Sequence, residues 1–385
     1  MIEPVRILFS SLGSHGHTYP LLPLAIAARE HGHDVAFATT DFGDAITRLG
    51  LEHVEAGIGM REAFSFVLEQ HGSPQQAQEV APQLIAEVFM STLPRRFHAD
   101  LVPVIERWRP DLVVHELANP GAGLAAKAAG VPALCHGFGR MWGADTAEFT
   151  VEPLQTFGAE IGVEVPERDP MLLGNPYLDI CPPSVQDQAF LAANRTIPLR
   201  PVPFAEPGEL PSWVTAHEQP LLYLTLGTAF GHAEVLRNAI AGLAAVEGAR
   251  VLVAAGPTVE VDALGEVPDN VTVLPWVPQA DLLPHTDLVV HHGGSGTTLG
   301  SFSAGVPQLV LPQGADQFSN AEVVVAQGLG AQLLGDEVTA EAVTSHARKL
   351  LTDTAVQDAA KAIAAEVAAM PSPAEVAATL ADHVR

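Results

Sequence analysis

His291-His292-Gly293-Gly294-Ser295-Gly296-Thr297-Thr298 follows the apolar run Asp287-Leu288-Val289-Val290 and opens a helix-like stretch that ends near Gly305. A strand feeding a glycine turn and then a helix N-terminus is an anion site, because free amides and the positive end of the helix dipole both face the turn. Gly294 and Gly296 let the main chain approach a phosphate without a Cβ clash. Thr297 and Thr298 offer hydroxyl donors, and His292 offers a ring N–H from the strand end. A unit of this kind belongs in a parallel, doubly wound α/β sheet.

Working outward, strand-like and helix-like patterns alternate from the first residues to about 370, so the expected fold class is α/β. Strands are expected at 5–10, 34–39, 111–114 and 132–138, with helices at 19–31 and 121–130. A second alternating series starts at Leu221-Leu222-Tyr223-Leu224-Thr225-Leu226-Gly227-Thr228. It continues with strands at 250–255, 271–274, 287–292 and 307–311, and helices at 233–245, 296–305 and 316–327. Seven prolines between 182 and 211 mark a connector. The expected division is a first domain over 1–200, a linker over 201–218, a second domain over 219–370 and a terminal segment over 371–385. The segment 60–108 is longer than a crossover needs. It carries Phe64, Phe66, Phe89, Met90 and Phe97, and reads equally as a pair of core-capping helices or as a substrate-lining insertion.

A length of 385 residues allows two full cores, and 48% apolar against 17% charged residues describes a globular chain. The formal net charge of −26 excludes the basic surface that nucleic-acid binding requires. No apolar run is long enough to span a bilayer, and the N-terminus lacks the pattern of a signal peptide, so a cytoplasmic location without membrane attachment is expected. Cys135 and Cys181, both in apolar surroundings, are expected to be buried free thiols. Because 251–347 contains no Lys or Arg, an anion bound there must rest on amides, hydroxyls and imidazole.

Three turns of the second series fall at strand ends. Gly227-Thr228 closes one strand, Trp276-Val277-Pro278-Gln279 closes another and offers an indole face for a planar base, and the glycine turn at 293–296 follows a third. Ligands of open α/β sheets lie at the carboxyl ends of strands, so the three turns share one edge. Two phosphate-binding turns and a stacking face describe a nucleoside diphosphate. A dinucleotide is the competing ligand, since Asp316 stands twenty residues beyond Gly296. Its third glycine would be Gly300, one position late, and the pattern lies far from the first strand.

In the first half, Gly13-Ser14-His15-Gly16-His17-Thr18-Tyr19-Pro20 joins the first strand to the first helix. A histidine there suits a general base, with His15 and His17 competing for the role. Glu116 ends a strand on the same edge and could orient the imidazole. His31, His33 and His115 read as structural.

These residues resemble the family 1 glycosyltransferases of GT-B fold, most of all the actinobacterial natural-product enzymes of the calicheamicin (enediyne) group. The resemblance spans the chain. It rests on 14–20, on Trp276-Val277-Pro278-Gln279, and on the block from His291 to Asn320 with Gly305-Val306-Pro307-Gln308 and Asp316-Gln317. It implies two Rossmann-like domains facing across a cleft, with the terminal segment 371–385 packing back on the first. It also implies a metal-independent, inverting hexosyl transfer from a nucleotide sugar to a hydroxyl of a hydrophobic enediyne, polyketide or macrolide in antibiotic biosynthesis. The base would be His17, paired with Glu116 where many relatives have Asp. Trp276 would stack on the base, with Val277 reading its edge. His292, Gly296, Thr297 and Thr228 would hold the diphosphate, with Gly227, Gln279, Gly294 and Ser295 completing the nucleotide contacts. Asp316 and Gln317 would meet the donor sugar, and Phe64, Phe89, Phe138 and Trp142 the acceptor. The resemblance further implies that many relatives using uridine diphosphate carry, at the position of Gly300, a Glu that binds both ribose hydroxyls. Its absence suits the 2′-deoxyribose of thymidine diphosphate (TDP). The TDP-sugar would be a co-substrate, with no resident cofactor and no metal, since no Asp-x-Asp occurs. A homodimer is allowed. An epimerase or hydrolase on the same scaffold, or a non-catalytic nucleotide-sugar binder, are the alternatives.

Overall fold

The computed structural model describes residues 4–71, 81–141, 151–204, 208–227, 233–256, 264 and 266–384. It resolves into two compact units, Met1–Arg200 with Pro371–Arg385, and Pro201–Met370. Among the described residues each unit holds one sheet whose strand pairings are all parallel. Both are Rossmann-like, as in GT-B glycosyltransferases.

The first sheet comprises β1 (Arg6–Ser10), β2 (Asp34–Thr39), β3 (Glu52–Glu55), β4 (Leu112–Glu116), β5 (Ala133–His136), β6 (Tyr177–Asp179) and β7 (Thr196–Pro198), in the order β3-β2-β1-β4-β5-β6-β7. The second comprises β8 (Leu221–Thr225), β9 (Arg250–Ala254), β10 (Val271–Leu274), β11 (Leu288–His291), β12 (Gln308–Val310) and β13 (Gly330–Gln332), in the order β10-β9-β8-β11-β12-β13. In each, the chain leaves the first strand in one direction and later returns to its other side. The switch points therefore lie between β1 and β4 and between β8 and β11, where open α/β sheets bind their ligands.

Central strands are apolar on both faces because helices cover both. Every residue of β8 is buried. Leu222 and Leu224 pack into one core with Val251 and Val253, while Leu221 and Tyr223 pack into another with Leu252 and Ala254. The first unit's core joins Leu8, Val113 and Cys135 of the sheet to Leu93, Phe97 and Leu101 of the helix Leu93–Trp108.

Several sequence-based expectations are corrected. The helix expected over 19–31 begins as a 3-10 turn at Tyr19–Leu21 and continues as Leu22–Glu30, with a separate one-turn helix, His15–Thr18, ahead of it, because Pro20 and Pro23 lack the amide hydrogens that a continuous helix would use. Strands β3, β6, β7 and β13 were not anticipated; β3, Glu-His-Val-Glu, is an edge strand with both glutamates exposed. The segment 201–218 is not a free linker. Val214 is fully buried in the second unit, and the Arg250 guanidinium lies 3.8 Å from the centre of the Trp213 ring. The terminal helix Pro373–Ala377 packs on Leu22–Glu30 of the first unit, with Ala377 and Leu380 fully buried. Among the described residues no helix is long and apolar enough to cross a membrane.

Candidate active site

The first candidate centre sits at the β1/β4 switch point. After β1, Thr18 ties the turn together: its hydroxyl lies 3.0 Å from Ser11 Oγ and donates to the Leu12 carbonyl at 2.9 Å. This sets the one-turn helix His15–Thr18, so His17 stands on a helix rather than in the expected loop. Its Nδ1 lies 3.1 Å from Glu116 Oε1 at the end of β4. The carboxylate is fully buried, whereas 18% of the His17 side chain is exposed. Glu116 Oε1 also accepts the Ala118 amide at 2.7 Å. The loop after β4 thus folds the longer side chain back toward the imidazole. With Nδ1–H donated to the carboxylate, Nε2 carries the lone pair that can take a proton, and the carboxylate stabilises the resulting cation. His15 points elsewhere, edge-on to Tyr19 and Phe42 at centroid distances of 5.0 and 5.1 Å.

The second centre sits at the β8/β11 switch point. His291 ends β11 fully buried. Its Nδ1 accepts the Gly293 amide at 3.1 Å, and its Nε2 lies 2.8 Å from Gln308 Oε1. A backbone N–H can only donate, so this ring is neutral, and burial pushes its pKa down to about 3. Gly293 is the glycine the turn demands. Its φ is +93°, and a Cβ there would meet the Gln317 carbonyl at 2.8 Å. Gly294 has ordinary dihedrals and is small because the His292 ring lies against it, as it also does against Gly227. At Gly296 a Cβ would meet nothing within 4 Å, so the backbone faces open space.

The helix Ser295–Ala304 starts here with no side-chain cap. Its first intrahelical bond is Thr298 N–H to the Gly294 carbonyl, so the amides of Ser295, Gly296 and Thr297 have no acceptor within the helix. The hydroxyls are not donors to the turn as expected. Ser295 Oγ donates to Asp316 Oδ2 at 2.8 Å, Thr297 Oγ1 to Gln279 Oε1 at 3.2 Å, and Thr298 Oγ1 to the Gly294 carbonyl at 3.1 Å. Each hydroxyl has one hydrogen, and each is spent inside the protein. The three amides, the helix dipole and His292 are the groups left that can take an anion. Burial pushes the His292 pKa down to about 4, so its imidazole is neutral, and its Nδ1 has no partner among the described residues.

Trp276, 43% exposed, follows β10 on the same sheet edge, while Val277 is buried in the core with Leu221 and Tyr223. Gln279 accepts from Tyr223 as well as Thr297, an engagement the sequence did not reveal. Gln317 Oε1 is committed to the amides of Gln313 and Gly314. Asp316 keeps Oδ1 without a partner among the described residues. A Cβ at Gly300 would meet Leu283 Cδ1 at 2.8 Å, the movable end of a side chain that can turn aside. Phe64 and Phe89 stack edge-on at 6.1 Å against the first core, and Phe138 lies edge-on to His17 at 4.8 Å. Thr228 and Trp142 fall outside the described residues. Among the described residues no cluster of three His, Cys, Asp or Glu could hold a metal. Asn320 is the residue that sequence reasoning missed; it stands one helical turn beyond Asp316, the spacing at which side chains meet.

Comparison with known proteins now bears on this geometry. The family described as erythromycin biosynthesis protein CIII-like matches with its N-terminal domain over residues 26–227 and its C-terminal domain over 238–382. The L-demethylnoviosyl transferase of Streptomyces niveus is 32% identical over 392 residues, covering 99% of this chain and 99% of its own. The crystal structure of glycosyltransferase VinC in complex with DTDP superposes with a TM-score of 0.81 at 26% identity, covering 98% of this chain and 99% of that one. The calicheamicin glycosyltransferase CalG4 superposes with a TM-score of 0.82 at 24% identity, covering 100% and 99%. At that identity the likeness carries the fold, and the wider family is what the matches support.

The buried imidazoles make stability depend on pH. His291 is held down to about 3, and His292, His115 and His136 to about 4. The unfolded chain binds these protons near pH 6.5 and the folded chain does not. Their contribution is therefore complete above pH 6.5 and is lost as pH falls toward 4. Asp179, raised to about 7 by burial, acts in the opposite sense. Four groups outweigh one, so the urea midpoint is expected to fall steadily between pH 6.5 and 4.5. A midpoint that holds or rises over that range would contradict the neutral-imidazole reading.

Proposed function

The chain belongs to the erythromycin biosynthesis protein CIII-like family and is a GT-B glycosyltransferase of antibiotic biosynthesis, and from that premise we propose that it transfers a sugar from a TDP-sugar to a hydroxyl of a hydrophobic natural product of enediyne, polyketide or macrolide type, with inversion. The observation that carries the reading is the uncapped helix start at 295–297 beside β8 and β11, an anion site built without a cation. The likeness to VinC, whose structure holds DTDP, supports TDP as the nucleotide. Gly300 adds to that reading, since it leaves no carboxylate there for ribose hydroxyls.

The reaction is a single displacement. Nε2 of His17 takes the proton of the acceptor hydroxyl while that oxygen bonds to the anomeric carbon. The bond from that carbon to the phosphate oxygen breaks with its electron pair, and TDP leaves. Glu116 holds the imidazole and stabilises it once protonated. Charge growing on the departing diphosphate meets the amides of 295–297 and the helix dipole, which act as fixed donors. With no Asp-x-Asp in the chain, the reading gives a metal no role.

His17→Ala is expected to lower turnover by roughly 10²–10⁴-fold, the worth of a general base, with TDP affinity retained. Near-parental turnover would remove His17 from that role. Titration calorimetry is expected to show TDP binding more tightly than UDP, and equal affinities would overturn the nucleotide assignment.

A further inference from the structure

Asp316 stands at the N-terminal boundary of the helix Gln317–Ala326, where an aspartate ordinarily caps its own helix. Here its side chain makes no cap. The preceding residue, Ala315, has φ +53°, a left-handed conformation that costs a residue with a Cβ. A capping bond is forgone at Asp316 and a strained backbone is held at Ala315, while the carboxylate is turned elsewhere.

It is turned toward the phosphate turn. Oδ2 accepts from Ser295 Oγ at 2.8 Å and from Asn320 Nδ2 at 3.2 Å. Asn320 is buried, and the same Nδ2 donates to the Gly293 carbonyl at 2.8 Å and lies 3.2 Å from Ser295 Oγ. An amide nitrogen has two hydrogens. The short bond to Gly293 takes one, and the other is shared between Ser295 Oγ and Asp316 Oδ2. Ser295 passes its own hydrogen on to Asp316. One buried amide thus joins the carbonyl of the turn, the first residue of its helix and the carboxylate. Oδ2 is fully engaged, and Oδ1 is left to accept.

We propose that Asn320 and Ser295 are positioning residues that lock Asp316 at a fixed distance from the diphosphate turn, so that the site recognises a sugar hydroxyl only at its correct reach from the diphosphate. The proposal rests on the donor reading above and adds how the sugar contact is placed. Neither residue needs to touch the sugar.

Titration calorimetry with TDP and with TDP-glucose tests it, because the ratio of the two affinities reads the sugar contact apart from the nucleotide. Ser295→Ala removes one charge-assisted bond to Asp316 and leaves the Gly293 carbonyl paired. It is expected to weaken TDP-glucose about tenfold more than TDP. In an Asp316→Ala background the same substitution is expected to change the ratio by less than about twofold, since it acts through Asp316. Asn320→Ala, which also frees the Gly293 carbonyl, is expected to lower both affinities and the ratio together. Equal weakening of the two ligands by Ser295→Ala, an effect that persists without Asp316, or a parental ratio in Asn320→Ala would each overturn the proposal. Failure of the parent chain to bind TDP would instead overturn the donor reading on which it rests.

Discussion

For a chain of net charge −26 to hold a diphosphate through a segment without Lys or Arg, backbone amides, a helix dipole and a neutral imidazole have to carry the anion. The rest of the second unit follows from that constraint. Hydrogen bonds to a charged group contribute on the order of 1.5–3 kcal/mol each, and a helix dipole adds up to about 2 kcal/mol in a partly buried setting. Three uncommitted amides at one helix start are therefore enough, provided they are held still. Gly293 supplies the positive φ, neutral His291 accepts its amide, and Asn320 takes its carbonyl. The serine and threonine hydroxyls, turned inward, brace the turn.

The first unit solves a different problem at the same topological place. A general base needs a lone pair exposed to the acceptor and a partner for the charge it acquires. The return of the chain from β1 to β4 brings His17, on the one-turn helix after β1, beside Glu116 at the end of β4, at the sheet's carboxyl edge. The amide of Ala118 holds the glutamate from its own loop, and the same oxygen reaches Nδ1 of His17. The buried carboxylate is tied to a ring that remains partly exposed, which is the asymmetry a base and its orienting partner require.

Central strands and the glycine turn were legible in the sequence because burial on both faces leaves continuous apolar runs such as Leu221–Thr225. Two of the edge strands were not, since Glu52–Glu55 and Gly330–Gln332 are held by pairing on one side and carry no such run. The proximity of His17 to Glu116, 99 positions apart, follows from sheet order rather than from any local pattern. The turn itself is legible from its glycines, but what each of its residues does in the fold is less so. Gly293 rather than Gly294 needs the unusual backbone, and where a hydroxyl spends its single hydrogen depends on neighbours brought by Asp316 and Gln279. The proline-rich stretch after 201 reads as a linker by composition, yet Trp213 and Val214 pin it to the second unit. Asn320 carried no signal beyond its spacing from Asp316.

The central claim is that these groups perform transfer to an acceptor rather than hydrolysis or storage of a nucleotide sugar. Following free TDP over time, with a TDP-sugar present and a hydroxylated hydrophobic acceptor added or withheld, addresses it most directly. The account predicts TDP release only with the acceptor, matched one for one by glycosylated product. Release at the same rate without the acceptor, or binding of the donor with no release under either condition, would contradict it.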